Sequence, residues 1–181
     1  MSRRRKKVYL AFNKPRGIVC TAEKREKNNV IDYLSYPVRI YPVGRLDKDS
    51  EGLLLMTNDG AIVNGIMRAR NRHEKEYQVE VNKEITPEFL KKMASGVPIL
   101  DTVTRPCRIR KTGERSFTII LTQGLNRQIR RMCEALGYHV TKLKRVRIMN
   151  VHLKDLKTGE YRPLTEKELA ELKKQIGEEK R

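Results

Sequence analysis

The side chain best placed to do chemistry is Asp47, which lies in a charged loop between two apolar runs, within residues 41–55. Loops held between strands often carry reacting groups, because the strands fix the loop and leave its polar groups facing a substrate. Gly44 and Gly52 permit tight backbone turns on either side of this loop. We therefore predict that Asp47 is a reacting group. The alternative is a solvated turn whose charges have no chemical role.

Tyr77 supplies a second candidate group, a phenol on a predicted strand. Residues 76–81 alternate so that Tyr77, Val79 and Val81 share one face of that strand. We predict that this face is buried, so the phenol needs a hydrogen-bond partner. Spacing alone does not separate a catalytic tyrosine from an ordinary core tyrosine.

Arg130 supplies a third candidate group, a guanidinium on a helix predicted over residues 126–137 and ended by Gly137. The helix is indicated by an apolar stripe made of Ile129, Met132, Cys133 and Leu136. Counted from Ile129, Arg130 lies about 100° around the helix, whereas Arg127 and Arg131 lie about 160° away on opposite sides. Arg130 is therefore nearest the buried stripe, where it could hold a carboxylate with two hydrogen bonds. The alternative is three arginines on a solvated face.

The charge of the chain predicts a polyanionic partner. Its 181 residues are 38% hydrophobic, enough for a folded core, and carry a formal net charge of +18. Residues 101–157 alone hold fourteen Lys and Arg against four Asp and Glu, a net charge of +10. Solubility does not require so large an excess, and nucleic acid is the leading candidate partner.

No metal or organic cofactor is expected. The cysteines form no Cys-x-x-Cys pair, and we expect buried thiols in a reducing compartment; they are Cys20, Cys107 and Cys133. The three histidines are far apart and have no ligand spacing, and no Gly-rich phosphate loop follows a strand.

Residues 1–7 form a basic arm, which we expect to bind phosphates without sequence preference. A short strand-like run follows the arm, with no apolar leader and no membrane-spanning stretch, so we expect a cytoplasmic protein with no membrane association. We expect residues 8–181 to form one continuous domain, within which two lobes would fit the length, and the protein to be a monomer.

The candidate groups are positioned by short elements whose limits follow from turn and cap signals. In the first part of the chain we predict strands over 8–12, 18–21, 40–43 and 53–56, and a turn over 13–17. Asn29 is predicted to cap a helix that runs to Leu34 and stops before Pro37. A second helix is predicted from a cap at Asn58 to residue 68, with Ile62, Ile66 and Met67 inward.

The later elements have stronger signals. Thr86 and Pro87 begin a helix that ends at Gly96, and residues 97–122 read as strands and turns, with 116–121 in a sheet centre. The pattern of residues 139–153 predicts one long strand or a bent pair of strands. A capping box at residues 165–168 predicts a last helix, ended by Gly177.

Several strings resemble the catalytic motifs of the RsuA/RluF-type pseudouridine synthases. Residues 44–54, Gly-Arg-Leu-Asp-Lys-Asp-Ser-Glu-Gly-Leu-Leu, are similar to the motif that carries the family's catalytic aspartate. Residues 123–132, Gln-Gly-Leu-Asn-Arg-Gln-Ile-Arg-Arg-Met, are similar to the motif whose arginine pairs with that aspartate. Weaker likenesses occur at residues 14–17, 75–77 and 143–145, and the resemblance as a whole covers about residues 8–165.

The resemblance implies an α+β fold, the pseudouridine synthase fold, with a mixed, mostly antiparallel central sheet, flanking helices and a central catalytic cleft. It implies that Asp47, Tyr77 and Arg130 are catalytic and that no cofactor or metal takes part. The residues expected to bind RNA are Arg45, Lys48, Arg127, Arg131, Lys142, Lys144 and Arg145.

The implied reaction converts a uridine of an RNA into pseudouridine. Asp47 attacks or assists at the ribose C1′, the detached base rotates, and its C5 atom rejoins C1′; an ester route and a glycal route both remain open. Because a stacked uridine is out of reach, the base must leave its stack. Arg45 is similar to the family arginine that fills the resulting gap. The alternative for Arg45 is a surface ion pair with Asp49 or Glu51.

The substrate expected first is a stem-loop of large-subunit (23S) ribosomal RNA, with tRNA second. Leu125 and Met149 depart from the broad family pattern and are more similar to the RluF type. Many relatives carry an N-terminal S4 RNA-binding domain, whereas only the basic arm precedes residue 8, so either the sequence is a fragment or other surfaces bind the target. A non-catalytic, ribosome-associated RNA-binding protein would explain the charge equally well.

Overall fold

The computed structural model describes residues 6–178 and divides into two compact units. Within the described residues, the first unit comprises 6–69 and 150–178, and the second comprises 70–149. Most of the predicted basic arm, residues 1–5, lies outside the described residues; Lys6 and Lys7 are exposed. No helix among the described residues is long and apolar enough to cross a membrane.

The elements of the first unit come from both ends of the chain. They are β1 (Tyr9–Lys14), α1 (Val30–Leu34), β2 (Tyr41–Pro42), β3 (Glu51–Thr57), α2 (Gly60–Arg68), β10 (Val151–His152), β11 (Tyr161–Pro163) and α5 (Glu166–Glu178). Strand β1 pairs antiparallel with β3 on one side and β11 on the other, and β2 pairs antiparallel with β3. The apolar residues of β1 and β3 pack with α1 and the chain around Ile40 into a buried core.

The elements of the second unit are contiguous in sequence. They are β4 (Lys75–Val81), α3 (Pro87–Ser95), β5 (Pro98–Ile99), β6 (Thr102–Val103), β7 (Arg108–Gly113), β8 (Ser116–Leu121), α4 (Gln128–Ala135) and β9 (Val140–Ile148). Four of the strands pair antiparallel in the order β9-β4-β8-β7, and β5 and β6 form a separate two-stranded ladder. Helices α3 and α4 pack their apolar stripes, including Phe89, Met93 and Met132, against Val79 and Phe117 of this sheet.

Most predicted elements are confirmed, and several cap signals act as expected. The side chain of Asn29 accepts a hydrogen bond from the backbone of Asp32, and that of Thr86 accepts one from Phe89. The capping box of α5 is reciprocal, since the Thr165 hydroxyl accepts from Glu168 N at 3.1 Å and the Glu168 carboxylate accepts from Thr165 N at 2.8 Å. Residues 139–153 hold two strands, β9 and β10, and not one long strand.

Two predictions about the first strands are wrong. The turn predicted over 13–17 begins later, because β1 continues pairing with β3 through Asn13 and Lys14, and both residues are buried. Residues 18–21 do not form a strand; Val19 makes a single isolated bridge with Asn29.

Three helix limits also differ from the predictions. Asp59, not Asn58, caps α2, because the Asn58 side chain bonds instead to Val8 N and Lys6 O. Helix α4 begins at Gln128, two residues later than predicted, because Arg127 adopts a left-handed conformation with φ of 48°. Gly177 lies within α5, which continues to Glu178.

Candidate active site

Asp47 lies in the loop that enters β3, and both predicted glycine turns are present. Gly44 has φ of 74° and Gly52 has φ of 110°, conformations that favour glycine. The loop itself is short and ordered by its own backbone, because Ser50 N donates to Asp47 O at 3.0 Å. The side chain of Asp47 is half-buried, between the buried Leu46 and the exposed Lys48.

The residues on either side of Asp47 are held by the segment that follows β1, through Cys20 and Gly17. The Cys20 thiol donates to Leu46 O at 3.2 Å and accepts from Leu46 N at 3.4 Å. On the other side, Gly17 N donates to Lys48 O at 2.7 Å. The backbone is therefore fixed immediately before and immediately after Asp47, as a reacting group requires.

Lys14 lies under this loop and is fully buried. Its ammonium donates to the carbonyls of Ile18 at 2.7 Å and Pro15 at 2.9 Å, with a longer contact to Lys48 O at 3.5 Å. Burial lowers the pKa of Lys14, and the negative charges of the loop, Asp47 among them, partly oppose that shift. A buried cation thus acts on the electrostatics of the Asp47 loop.

Tyr77 lies on the second unit's sheet, on the face predicted for it. It stands opposite Ile119 of β8 and Arg145 of β9, and its half-buried ring packs against the core of the unit. Arg145 is only 6% exposed. The sheet therefore places a phenol and a buried guanidinium side by side.

Arg130 is the buried arginine of α4, as the helical periodicity predicts. It is 9% exposed, whereas Arg127 is exposed and Arg131 is half-exposed. Arg131 folds back over the start of the helix, where its Nε and Nη2 atoms donate to the main-chain and side-chain oxygens of Asn126 at 3.0 and 2.9 Å. The two neighbouring arginines therefore occupy different environments on one helix.

The predicted RNA-binding residues do not all share one surface. Along β9, Lys142 and Lys144 alternate with the buried Leu143 and Arg145, so the two lysines point away from the face that carries Tyr77. In the first unit, Arg45 and Lys48 are exposed.

Residues 8–135 match the family described as RNA pseudouridylate synthase. The chain belongs to this family. The Salmonella typhi protein named dual-specificity RNA pseudouridine synthase RluF is 56% identical over 169 residues, which cover 93% of this chain and 58% of that protein. Ribosomal large subunit pseudouridine synthase B of Bacillus subtilis is 35% identical over 178 residues, 94% of this chain and 73% of that protein.

The pseudouridine synthase fold is confirmed by a solved relative. A crystal structure of pseudouridylate synthase superimposes with a TM-score of 0.84 at 31% identity, covering 92% of this chain and 74% of that one. The predicted resemblance to the RluF type is also confirmed. The chain spans 58% of the length of the RluF relative from Salmonella typhi.

The main residue that the sequence analysis missed is Lys14. A lysine is among the residue types least often buried without a partner, so its position at the end of an apolar strand gave no reason to place it inside. The available signals were the weak family likeness of residues 14–17 and the Lys14-Pro15 pair, which restricts the backbone before the turn. Among the described residues, no group of three or more His, Cys, Asp or Glu side chains is arranged to hold a metal ion.

Proposed function

We propose that this chain is an RNA pseudouridine synthase that isomerises a uridine within a folded RNA. The observation that carries the proposal is the Asp47 loop, in which a half-buried carboxylate sits on a backbone held at both neighbouring residues. Such rigid placement suits a group that must meet one atom of the substrate. Membership of the pseudouridylate synthase family supports the same chemistry.

In the proposed reaction, the Asp47 carboxylate acts at the ribose C1′ as the bond from C1′ to N1 breaks. The detached uracil rotates and its C5 atom bonds to C1′. The C5 proton then leaves, and N1 of the rotated ring ends protonated, so the reaction is an isomerisation that consumes no co-reactant. A carboxylate suits either covalent attack or charge stabilisation at C1′.

Arg130 and Tyr77 have distinct proposed roles. Arg130 is proposed to pair with Asp47 and orient it during the reaction, a role that suits a buried guanidinium with a planar fork of donors. Tyr77 packs against the uracil ring and assists proton movement from C5, directly or through a water molecule. Its half-buried phenol on a rigid sheet supports that role.

Arg45 is proposed to fill the gap that the uridine leaves when it rotates out of its stack. Its exposed side chain and its place two residues before Asp47 support this role. Lys48, Arg127 and Arg131 are proposed to contact phosphates, because cations on a strongly basic chain contribute most of the non-specific affinity for RNA.

The proposed substrate is a stem-loop of large-subunit ribosomal RNA, with tRNA as the second candidate. One relative is named a dual-specificity RNA pseudouridine synthase and another a ribosomal large subunit enzyme. Leu125 and Met149 support the RluF-type assignment; Met149 has φ of 54°, a conformation that glycine adopts more easily. We propose that the protein acts in the cytoplasm.

The second candidate is a non-catalytic RNA-binding protein, which the net charge of +18 favours equally. Tritium release separates the two functions, because the C5 hydrogen of uridine is lost only if the base is isomerised. We expect release from ribosomal RNA fragments labelled at C5 of uridine, and slower or equal release from tRNA transcripts. Tight binding with no release from either RNA would establish the binding-only function.

A further inference from the structure

Lys75, the first residue of β4, is a half-buried cation with an unusual environment. It pairs with Leu121 of β8, and Tyr77 pairs with Ile119, so Lys75 and Tyr77 lie on the same face of the strand. Its ammonium donates to Arg70 O at 2.8 Å. Lys75 therefore lies on the same strand face as Tyr77, and its ammonium is held by a neutral main-chain carbonyl, which does not balance its positive charge.

Three arginines act electrostatically on this lysine. Arg145 extends from β9, Arg105 from the segment before β7 and Arg70 from the segment before β4, and together they act on Lys75 as like charges. Arg105 is anchored to the same segment as Lys75, because its Nη1 donates to Asn71 O at 2.6 Å. Its main-chain N–H donates to Gln123 Oε1 at 3.1 Å. The cluster Lys75, Arg70, Arg105 and Arg145 is called the Lys75 cluster below.

The nearby carboxylates are engaged by other arginines. Glu74 and Glu76 accept hydrogen bonds from Arg147 at 3.1 and 3.2 Å, and Glu74 also pairs with Arg108. Within residues 6–178, Lys75, Arg70 and Arg105 form no ion pair with a carboxylate. Burial and the three arginines together lower the pKa of Lys75 to about 8.

The like charges of Lys75, Arg70 and Arg105 repel one another in the free protein, and this repulsion is relieved when an anion binds. Arginine and lysine donors suit phosphate oxygens, because guanidinium groups bind them with paired hydrogen bonds and ammonium groups as point charges. Arg145, a member of the Lys75 cluster, lies opposite Tyr77 on the neighbouring strand of the sheet. A phosphate bound there would lie next to the nucleotide that Tyr77 contacts.

We propose that the Lys75 cluster binds one phosphodiester group of the RNA, close to the reacting uridine. This proposal rests on the proposed function for its choice of ligand and adds a binding site to it. The site fixes the RNA backbone on one side of the uridine while the base is free to rotate. Lys75 and Arg105 are its positioning residues, since both are anchored through main-chain carbonyls.

The protonation state of Lys75 makes the affinity of the site for a phosphate group depend on pH. Only the ammonium form attracts phosphate, and that form predominates below a pKa of about 8. Binding a phosphate raises this pKa, so the contribution to affinity is present at neutral pH and fades as the pH rises through 8.

The test measures the Kd of a fluorescein-labelled RNA stem-loop, with uridines in its loop, at constant ionic strength. Between about pH 7 and about pH 8.8 we expect the Kd of the wild-type protein to rise about sixfold. Lys75→Arg should bind tightly with no such rise, because arginine stays protonated. Lys75→Gln should bind about tenfold more weakly at pH 7 and also show no rise. Lys91→Arg, an exposed lysine of α3, should behave like the wild type.

Equal pH dependence in Lys75→Arg and the wild type would overturn the proposal, even if Lys75→Gln failed to fold. A second arm replaces single loop phosphates with uncharged methylphosphonates. One such replacement should remove the pH dependence of the wild-type Kd, whereas no effect at any linkage would overturn the proposal. The readout is affinity, so a wild-type protein that binds in this way but releases no tritium would reject the proposed function alone.

Discussion

The buried ammonium of Lys14 reaches the main-chain carbonyl of Lys48, the residue after Asp47, at 3.5 Å. It also donates two shorter bonds to the turn that follows β1, so one cation joins the end of a strand to two segments of loop. The position of Asp47 therefore depends on a residue more than thirty positions earlier in the chain.

Replacing Lys14 with methionine removes the ammonium and keeps most of the volume of the side chain. The carbonyls of Pro15 and Ile18 would then lose their donor, and we expect the free energy of unfolding to fall by about 2–4 kcal/mol. Urea unfolding measures this change. Lys24→Met, at an exposed position of the same unit, should stay within about 0.5 kcal/mol of the wild type, and an equal effect of both substitutions would contradict the role of Lys14.

Tyr77→Phe tests whether the phenol acts in the reaction or only packs. We expect the rate of tritium release to fall about 10²-fold while the melting temperature changes little, because the ring is retained. Tyr138→Phe is the matched control, since the Tyr138 hydroxyl donates to Glu84 O at 2.9 Å. That variant should lose about 1 kcal/mol of stability and keep its turnover. Full turnover in Tyr77→Phe would show that Tyr77 only packs in the core and that its hydroxyl takes no part in the reaction.

Arg130→Lys tests the planar fork at constant charge. We expect turnover to fall by at least about 10²-fold, because an ammonium cannot reproduce two parallel hydrogen bonds to a carboxylate. Arg131→Lys, one position along the same helix, should change turnover less than about threefold, since Arg131 bonds to Asn126. Single-turnover rates at saturating RNA make the comparison. Similar losses of turnover in both variants would contradict the proposed pairing of Arg130 with Asp47.

Much of this arrangement was predictable from local patterns. The burial of Arg130 follows from its angle to the stripe of Ile129 and Met132, and the turns beside Asp47 follow from Gly44 and Gly52. Periodicity and glycine placement act over a few residues, so a single sequence reveals them.

Other features depended on contacts between distant segments. Lys14 is buried because β1 continues along β3, and Asn58 fails to cap α2 because Val8 and Lys6 take its side chain. The late start of α4 depends on a left-handed Arg127, which propensity alone does not favour. The hydrogen bond from Arg105 to Asn71 O, in the segment before Lys75, joins residues that are 34 positions apart in the chain.

The lowered pKa of Glu168 makes the free energy of unfolding depend on pH in the acid range. Two hydrogen bonds from Arg162, at 2.8 and 2.9 Å, lower the pKa of Glu168 from 4.5 to about 2. The stabilisation is complete above pH 4.5 and is lost as the pH falls from 4.5 towards 2, and it amounts to at most about 3 kcal/mol.

Glu168→Gln should therefore lower the free energy of unfolding by about 2–3 kcal/mol at neutral pH. The difference from the wild type should shrink by about 1 kcal/mol when urea unfolding is repeated near pH 3.5. Glu171→Gln, at an exposed position of the same helix, serves as the control and should stay within about 0.5 kcal/mol. A difference that stays constant with pH would contradict the ion pair as its source.

The central claim is that Asp47 performs the chemistry, and one paired measurement tests it most directly. Asp47→Asn should reduce tritium release from C5-labelled RNA by at least about 10³-fold, because the amide cannot act as a carboxylate at C1′. Its Kd for the same RNA should stay within roughly a factor of ten, because Lys and Arg side chains supply the affinity. Asp49→Asn, in the same loop, should keep most of the turnover. Release by Asp47→Asn at the wild-type rate would contradict the account.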